Sequence, residues 1–592
     1  MASIQDGLEQ RKRLGYFSGL LVFCAAILLV RLFYLQVIEH NYYLTEATSE
    51  QTRKFQIPAT RGLIYVHDGV STSPIVLNQT LALMYADPRY IKDKAAVAAK
   101  LAGVTGGSAS SYLTSLEEGI DYSVLDKRLP LSVETQVKAL NIPGIGFTDM
   151  SYRTYPEGDL AAQVLGFVDA NGVGQYGLEG FLNTQLAGTP GEYAEKTDTS
   201  GIPIATADNI AKAPVDGKSY LLTIDRNVQA MVEQEIAAQV KKVGAKSGSV
   251  VVMNPSNGAI IAMANYPTYD PNNYSSVTNY QVFQNQAVSA EFEPGSTMKV
   301  FTMAAGLDQG KVTPTTMYND PGCYLIDGSK ICDANGDKPG PNKTMTVVLR
   351  DSLNTGVMFV LRMLGGNPNS FTLAGKQLLF SYFTKHFDFG SLTGVQQSGE
   401  ATGLVNQPTN VSGNDVNYAN MTFGQGVSVT MIQMTEAMAA IANGGTMYQP
   451  NLIDSIVNAD GSTTPVPAKV VKTHVISSST ASELNQMLQV VVQHGSGFLA
   501  AEQNPGYEIS GKTGTAQIPN PNGPGYLTGS NIGSFLGFAP SNDPKFVIMV
   551  RINEPNIDCD SAECGYAEYT TVPVFGDICK WLFRYYDIPP NS

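Results

Sequence analysis

Residues 14–38 form the only stretch of this sequence long and apolar enough to cross a bilayer, and that constrains the rest of the chain. Residues 14–30 carry no charge, Arg31 interrupts, and a second apolar run follows to residue 38. In hydrocarbon every backbone polar group must be paired internally, so such a segment can only be a helix. Arg31 is long enough to snorkel toward the outer interface. Arg11, Lys12 and Arg13 immediately precede the segment and no comparable cluster closely follows it. That asymmetry predicts a cytoplasmic tail at 1–13 and an extracytoplasmic body beyond residue 40. A cleaved signal peptide is the rival reading; no small-x-small site follows the run, which favours a permanent single-pass anchor in the cytoplasmic membrane.

The chain of 592 residues is too long for one core and predicts about two to four domains. Charged residues make up only 15% and glycine and proline are frequent, which suits strands and loops more than long helices. A net charge of −14 argues against a nucleic-acid surface. Cys323 and Cys332 flank a short loop, as do Cys559 and Cys564, and either pair could close a small disulfide in an oxidising compartment. Cys24 falls in the anchor and Cys579 in an apolar C-terminal helix. No C-x-x-C occurs and the five histidines are dispersed, so neither a metal nor a cofactor is expected.

Residues 51–65 read as extended chain. A helical patch at 92–101 and a Gly/Ser-rich break at 103–111 suggest an α+β section, and the glycine-dense region from Tyr152 to Gly201 suggests strands and tight turns. Residues 212–217 are a linker by composition. Beyond it, 227–243 is helical by periodicity, and 247–253 and 259–264 are strands joined by Asn254-Pro-Ser-Asn-Gly258, a hairpin signal. A mostly helical stretch runs to about residue 445. A helix at 480–494, one strand around Lys512, another from 535 to 550, and a last helix at 574–586 follow. Strands at both ends with helices between them imply a sheet assembled from sequence-distant pieces.

Three short motifs carry chemistry. Ser296 and Lys299 lie three apart where Glu293-Pro-Gly295 turns into an apolar helix, so hydroxyl and amine share one face. Serine is a poor nucleophile until a base takes its proton, and lysine is that base only if burial or nearby positive charge lowers its pKa. A lone S-x-x-K arises by chance about once or twice in this length and equally describes a capped helix with a solvated lysine. Ser352 and Asn354 sit two apart where a helical pattern breaks, presenting a hydroxyl to relay a proton and an amide to hold a carbonyl, or else capping a helix. Ser412 and Asn414 form a decoy of the same pattern in a polar loop. The run Lys512-Thr-Gly514-Thr515 reads as a strand. Alternation puts Lys512 and Gly514 on one face and Thr513 and Thr515 on the other, unless a bulge turns the threonines toward a cleft. Gly514 leaves room where a substrate backbone would approach, and Lys512 adds charge to bind a carboxylate and depress Lys299. Lys246-Ser-Gly248 is a decoy that begins the first strand. Each motif alone is weak; the three in this order are specific.

With those motifs the chain resembles the class B penicillin-binding proteins, membrane-anchored peptidoglycan D,D-transpeptidases, and within them the septal, cell-division branch. The resemblance spans nearly the whole chain: Arg31-Leu-Phe-Tyr-Leu-Gln36, Arg61-Gly62, Arg153 with Tyr155-Pro-x-Gly158, Gly177-Leu-Glu179, Thr223-Ile-Asp225, Phe423-Gly-Gln-Gly426 and Gly511 to Gln517 all take part. It departs after Gly62, where Val66-His-Asp-Gly69 replaces the family's usual Asp-Arg-Asn-Gly turn.

The resemblance implies a multidomain fold of mixed α+β and α/β character. A transmembrane helix (14–38) leads to an elongated β-rich pedestal of dimerisation type (39–217), then to a transpeptidase domain with an antiparallel sheet flanked by helices (218–588). It implies Ser296 as nucleophile, Lys299 as its base, Ser352 as proton relay and Asn354 as a holder of the donor peptide. Thr513 and Thr515, helped by Lys512, would bind the terminal carboxylate, and the backbone N–H groups of Ser296 and Thr515 would form the oxyanion hole. Substrates are stem peptides ending in D-Ala-D-Ala, β-lactams are inhibitors, and a membrane-embedded glycan polymerase and division proteins are expected partners. The alternatives are an elongation-type transpeptidase, a carboxypeptidase or β-lactamase-like hydrolase, and a β-lactam sensor or non-catalytic scaffold. No Glu motif for rapid deacylation stands out, and a sensor would be expected to carry more spans or a cytoplasmic effector.

Overall fold

The computed structural model describes residues 2–118, 121–196, 210–334, 339–520, 523, 525–556 and 566–590. They fall into two compact units, Met1–Arg61 with Ala187–Gly217, and Gly62–Leu186 with Lys218–Ser592. The first holds a helix, Ala2–Phe33, continued by a wider turn at Tyr34–Ile38. Its most apolar stretch lies within Gln10–Ile38 and none of that stretch is buried, as suits a helix facing lipid on every side. Strands Thr52–Ile57, Gly191–Lys196 and Ile210–Lys212 make a small antiparallel sheet in the same unit.

In the second unit, Ile64–Asp68 and Ser71–Ala86 form a hairpin, so the unusual 66–69 segment still turns, with Gly69 at φ +61°. Ser219–Asp225 pairs parallel with Ile64–Asp68 and antiparallel with Ile453–Val457. The glycine-dense region differs in part from expectation. Strands are present, in Gly191–Lys196 and in the ladder of Phe167–Val168 with Gly174–Gln175, but three short helices, Ala162–Leu165, Gly177–Phe181 and Asn183–Ala187, accompany them. Leu178, Leu182 and Leu186, spaced four apart, are all buried, and this helical period outweighs the turn chemistry of the glycines. Arg153 Nε meets Glu179 Oε1 at 2.6 Å with both side chains shielded from water, and Nη1 donates to Asn78 Oδ1 at 2.8 Å. Removing either partner of such a pair strands the other charge and costs about 3–5 kcal/mol.

The site rests on a five-stranded sheet of β1 (Ser247–Met253), β2 (Ile260–Tyr266), β3 (Ser510–Pro519), β4 (Tyr526–Ala539) and β5 (Phe546–Asn553). The order is β2-β1-β5-β4-β3 and every pairing is antiparallel. The expected single strand over 535–550 is therefore two, because Pro540-Ser-Asn-Asp-Pro544 reverses the chain between them. The helices around the sheet are α1 (Arg226–Lys242), α2 (Lys299–Asp308), α3 (Asn354–Leu364), α4 (Met431–Ala442) and α5 (Val572–Tyr585). Val250, Val252, Ile548 and Val550 pack with Val232 and Ile236 of α1 and Phe575 and Ile578 of α5. Val251, Met253, Val547 and Met549 share the opposite core with α2 and α4. A sheet covered on both faces has no polar side, which is why residues 250–253 of β1 and 546–550 of β5 are unbroken apolar runs.

Cys323 and Cys332 are disulfide-bonded across the hairpin of Cys323–Ile326 with Ser329–Cys332. Cys579 is buried, Cys24 is exposed on the N-terminal helix, and the Cys559–Cys564 pair lies outside the described residues. Lys246, the decoy before β1, pairs with Glu554 at 2.7 Å.

Candidate active site

Ser296 stands on a 3₁₀ turn, Gly295–Met298, that runs directly into α2. In a 3₁₀ turn positions i and i+3 eclipse, which aligns Ser296 above Lys299 more closely than an α-helix would. The turn is fixed from within, because Thr297 Oγ1 donates to Pro294 O at 2.7 Å. It is also fixed from both sides at Gly295. Gly295 N donates to Gly424 O at 3.1 Å, and a Cβ on Gly295 would lie 2.9 Å from Thr515 O. Glu293 Oε1 accepts from Gly426 N at 2.8 Å, pinning the Phe423-Gly-Gln-Gly426 loop beside the serine; burial raises this carboxyl above its ordinary range.

Lys299 is completely buried while Ser296 remains partly open. The Lys299 Nζ donates to the Ser352 carbonyl and lies 3.2 Å from Ser352 Oγ. Ser352 occupies the gap between helix Met345–Arg350 and α3, with φ at +57°. A non-glycine residue held there costs about 1–3 kcal/mol and persists only where its surroundings impose it. That conformation directs its hydroxyl and carbonyl toward Lys299. Asn354, the first residue of α3, donates from Nδ2 to Cys332 O at 2.8 Å, so the disulfide-closed hairpin holds its amide.

Lys512 is also fully buried, with Nζ 3.2 Å from Thr513 O, and burial alone pulls its ammonium down to about 7. The register of β3 on β4 is continuous from Ser510 to Gln517, so no bulge intervenes. Plain alternation places Thr513, Thr515 and Gln517 on the cleft side. Gly514 corrects the expectation for its missing side chain. A Cβ there would lie 2.7 Å from Pro294 O and 3.0 Å from Thr297 Cγ2, so the space accommodates the serine turn rather than a substrate.

Ser296, Ser352, Asn354, Thr513 and Thr515 line one cavity of about 670 Å³, with Lys299, Lys512 and Gly514 under its wall. Residues 329–332 of the disulfide-closed hairpin line it as well. Several lining residues went unread in the sequence, among them Ser496, Asn420 and Glu568. Ser496, whose Oγ hydrogen-bonds Thr513 Oγ1, follows a helix end without any pattern of its own. Asn420 lies on helix Asn414–Met421, which begins inside the Ser412–Asn414 decoy. Glu568 follows residues 557–565, which lie outside the described residues, and burial raises its carboxyl.

Residues 248–580 match the family described as penicillin binding protein transpeptidase domain, and residues 56–222 match the penicillin-binding protein dimerisation domain. Stage V sporulation protein D of Bacillus subtilis is 31% identical over 578 residues, covering 96% of this chain and 85% of that protein. Peptidoglycan D,D-transpeptidase FtsI of Escherichia coli is 29% identical, covering 98% and 93%. The crystal structure of penicillin binding protein 3 from Mycobacterium tuberculosis complexed with aztreonam superimposes with a TM-score of 0.69 at 27% identity, covering 91% of this chain and 98% of that one. Both domains, near-complete coverage and the shared fold give one answer: this chain belongs to the penicillin-binding proteins of the transpeptidase family.

Proposed function

We propose that the chain cross-links peptidoglycan stem peptides in septal wall synthesis, through an acyl-enzyme on Ser296. Lys299 takes the Ser296 proton as Oγ attacks the carbonyl of the penultimate D-Ala. The oxyanion is stabilised by the N–H groups of Ser296 and Thr515, whose neighbourhood is supported by the close approach of Gly295 to Thr515. The peptide bond breaks, Ser352 passes the proton to the leaving amine, and the terminal D-Ala departs. The amine of a second strand then attacks the ester, and Ser296 regains its proton. Asn354 orients the donor, and Thr513 and Thr515 hold its carboxylate with Lys512. The single observation that carries this reading is Lys299, buried and 3.2 Å from Ser352 Oγ beneath the cavity that Ser296 lines.

A hydrolase is the second reading, favoured by one observation: Glu568 places a carboxyl of raised pKa in the cleft, where it could activate water. The basic cluster Arg11 to Arg13 supports a cytoplasmic N-terminus with the catalytic half outside, where a membrane glycan polymerase would be the partner. Co-purification in mild detergent tests that association, and failure to recover any polymerase counts against it.

The decisive experiment labels the full chain in detergent with a fluorescent penicillin beside Ser296→Ala. Labelling that vanishes in the variant and decays over hours supports the transpeptidase. Decay within seconds, slowed by Glu568→Gln, supports the hydrolase. No labelling of the folded wild type overturns the site assignment.

A further inference from the structure

A second cavity, of about 450 Å³, opens where β1 and β5 meet the segment 279–292. It is separated from the catalytic cleft by one strand, since Gln517 lines the cleft and its neighbour Ile518 lines this cavity. Four charged side chains border it. Lys246 and Glu554 neutralise each other at 2.7 Å. Glu291 accepts from Gly403 N at 3.0 Å and Ser428 Oγ at 3.1 Å. The fourth, Arg551 on β5, is 2% exposed and forms no ion pair among the described residues.

Among the described residues the Arg551 guanidinium donates only to backbone carbonyls, Nη1 to Ala290 O at 3.2 Å and Nη2 to Gln286 O at 3.4 Å, and lies 5.0 Å over the Phe292 ring. Among the described residues its Nε has no partner, nor does Oδ1 of Asn553, another residue lining the cavity. A buried unpaired charge is expensive, and carbonyl dipoles with one ring face repay it only in part. Burial pulls this guanidinium down to about 10. A structural arginine in a closed core is normally matched by a carboxylate; this one lines an open cavity instead.

We propose that this cavity is a second binding site, for a ligand bearing a single carboxylate, with Arg551 as its anchor. A planar guanidinium with free donors suits a carboxylate's two oxygens. The four bordering charges sum to zero, so a single guanidinium with Glu291 and Glu554 at the rim favours a monoanion over a phosphate dianion. The remaining wall is rich in amides, among them Asn265, Gln284 and Gln286, with Tyr266 and Phe292 as apolar surface. Such a wall suits the amide and short side chain of an acylated amino acid or a peptide C-terminus. The site does not depend on the catalytic reading.

The test titrates the detergent-solubilised full chain with N-acetylglycine, observed by saturation-transfer NMR, beside the uncharged N-acetylglycinamide. Saturable binding of the acid is expected with Kd on the order of 1 mM, and at least about tenfold weaker binding of the amide. Arg551→Gln should weaken the acid about tenfold or more, the effect expected of a lost charge-assisted pair. Gln284→Trp, which fills the mouth from an exposed position and leaves Arg551 in place, should abolish binding, so the inference survives if the arginine variant fails to fold. Acetyl-diglycine extends the series: tighter binding than N-acetylglycine assigns the site to peptide termini, and weaker binding assigns it to free acylated amino acids. Equal binding of acid and amide, binding unchanged in Gln284→Trp, or no saturation by the wild type overturns the proposal.

Discussion

Gly514→Ala adds one methyl group at the point where the catalytic strand meets the serine turn. The new Cβ would sit 2.6 Å from Ser534 Oγ, 2.7 Å from Pro294 O and 3.0 Å from Thr297 Cγ2. Ser534 can rotate away. Pro294 O cannot, because it accepts the Thr297 hydroxyl and heads the turn that carries Ser296. Ordinary contact begins at 3.4 Å, so the carbonyl must retreat by about 0.7 Å, the difference between 3.4 and 2.7. Overpacking of this kind costs about 1–3 kcal/mol of stability. A nucleophile displaced by nearly an ångström loses up to about 10²-fold in rate. The acylation rate constant for a fluorescent penicillin should therefore fall about tenfold to a hundredfold, with a lower unfolding midpoint. Gly511→Ala is the control. Its Cβ would meet Phe535 Cζ at 2.5 Å, a side-chain clash on the same strand that leaves Pro294 untouched. It should destabilise comparably and acylate at close to the wild-type rate. If Gly514→Ala acylates normally, or if both variants lose rate in proportion to stability, the claim that this glycine seats the serine turn is wrong.

Two pH effects follow from buried groups. Burial raises Glu233 from 4.5 to about 7, although Gln229 Nε2 and Ala161 N donate to it at 2.7 and 2.8 Å. A carboxyl raised in the folded state contributes stability below its unfolded pKa that is lost as pH rises through 7. The loss is at most about 3 kcal/mol at 1.36 kcal/mol per unit. Denaturant midpoints at pH about 5 and about 8 should differ in the wild type and converge in Glu233→Gln; equal wild-type midpoints would remove the effect. Lys512, pulled down to about 7 by burial, is charged below that pH and neutral above it. If its charge holds the donor carboxylate, penicillin affinity before acylation should weaken as pH rises from about 6 to about 8, and this dependence should vanish in Lys512→Met. A flat wild-type profile by stopped-flow acylation would take Lys512 out of carboxylate binding.

The parts of this protein legible in its sequence are those set by a local period. The apolar span at 14–38, the hairpin through Asn254–Gly258 and the helix of α1 follow from windows of a few residues, and all appear as read. The same logic put Thr513 and Thr515 on one face of a strand, and β3 keeps that alternation without a bulge. Turn chemistry misled where it competed with a helical period, as at Leu178, Leu182 and Leu186, and it was overlooked where it interrupted an apolar run, as between β4 and β5. The rest of the site depends on contacts that no window contains. Ser352 takes a positive φ that nothing in Asp351-Ser-Leu-Asn354 demands, because its conformation is settled by where Lys299 and the ends of two helices lie. Gly295 must be glycine because Gly424 and Thr515, distant in sequence, close on it from two sides. Chemistry that needs a residue type at a given spacing can thus be read directly, whereas chemistry that needs a backbone held under strain requires the packing that holds it. Ser296 and Lys299 belong to the first kind, and the relay through Ser352 to the second.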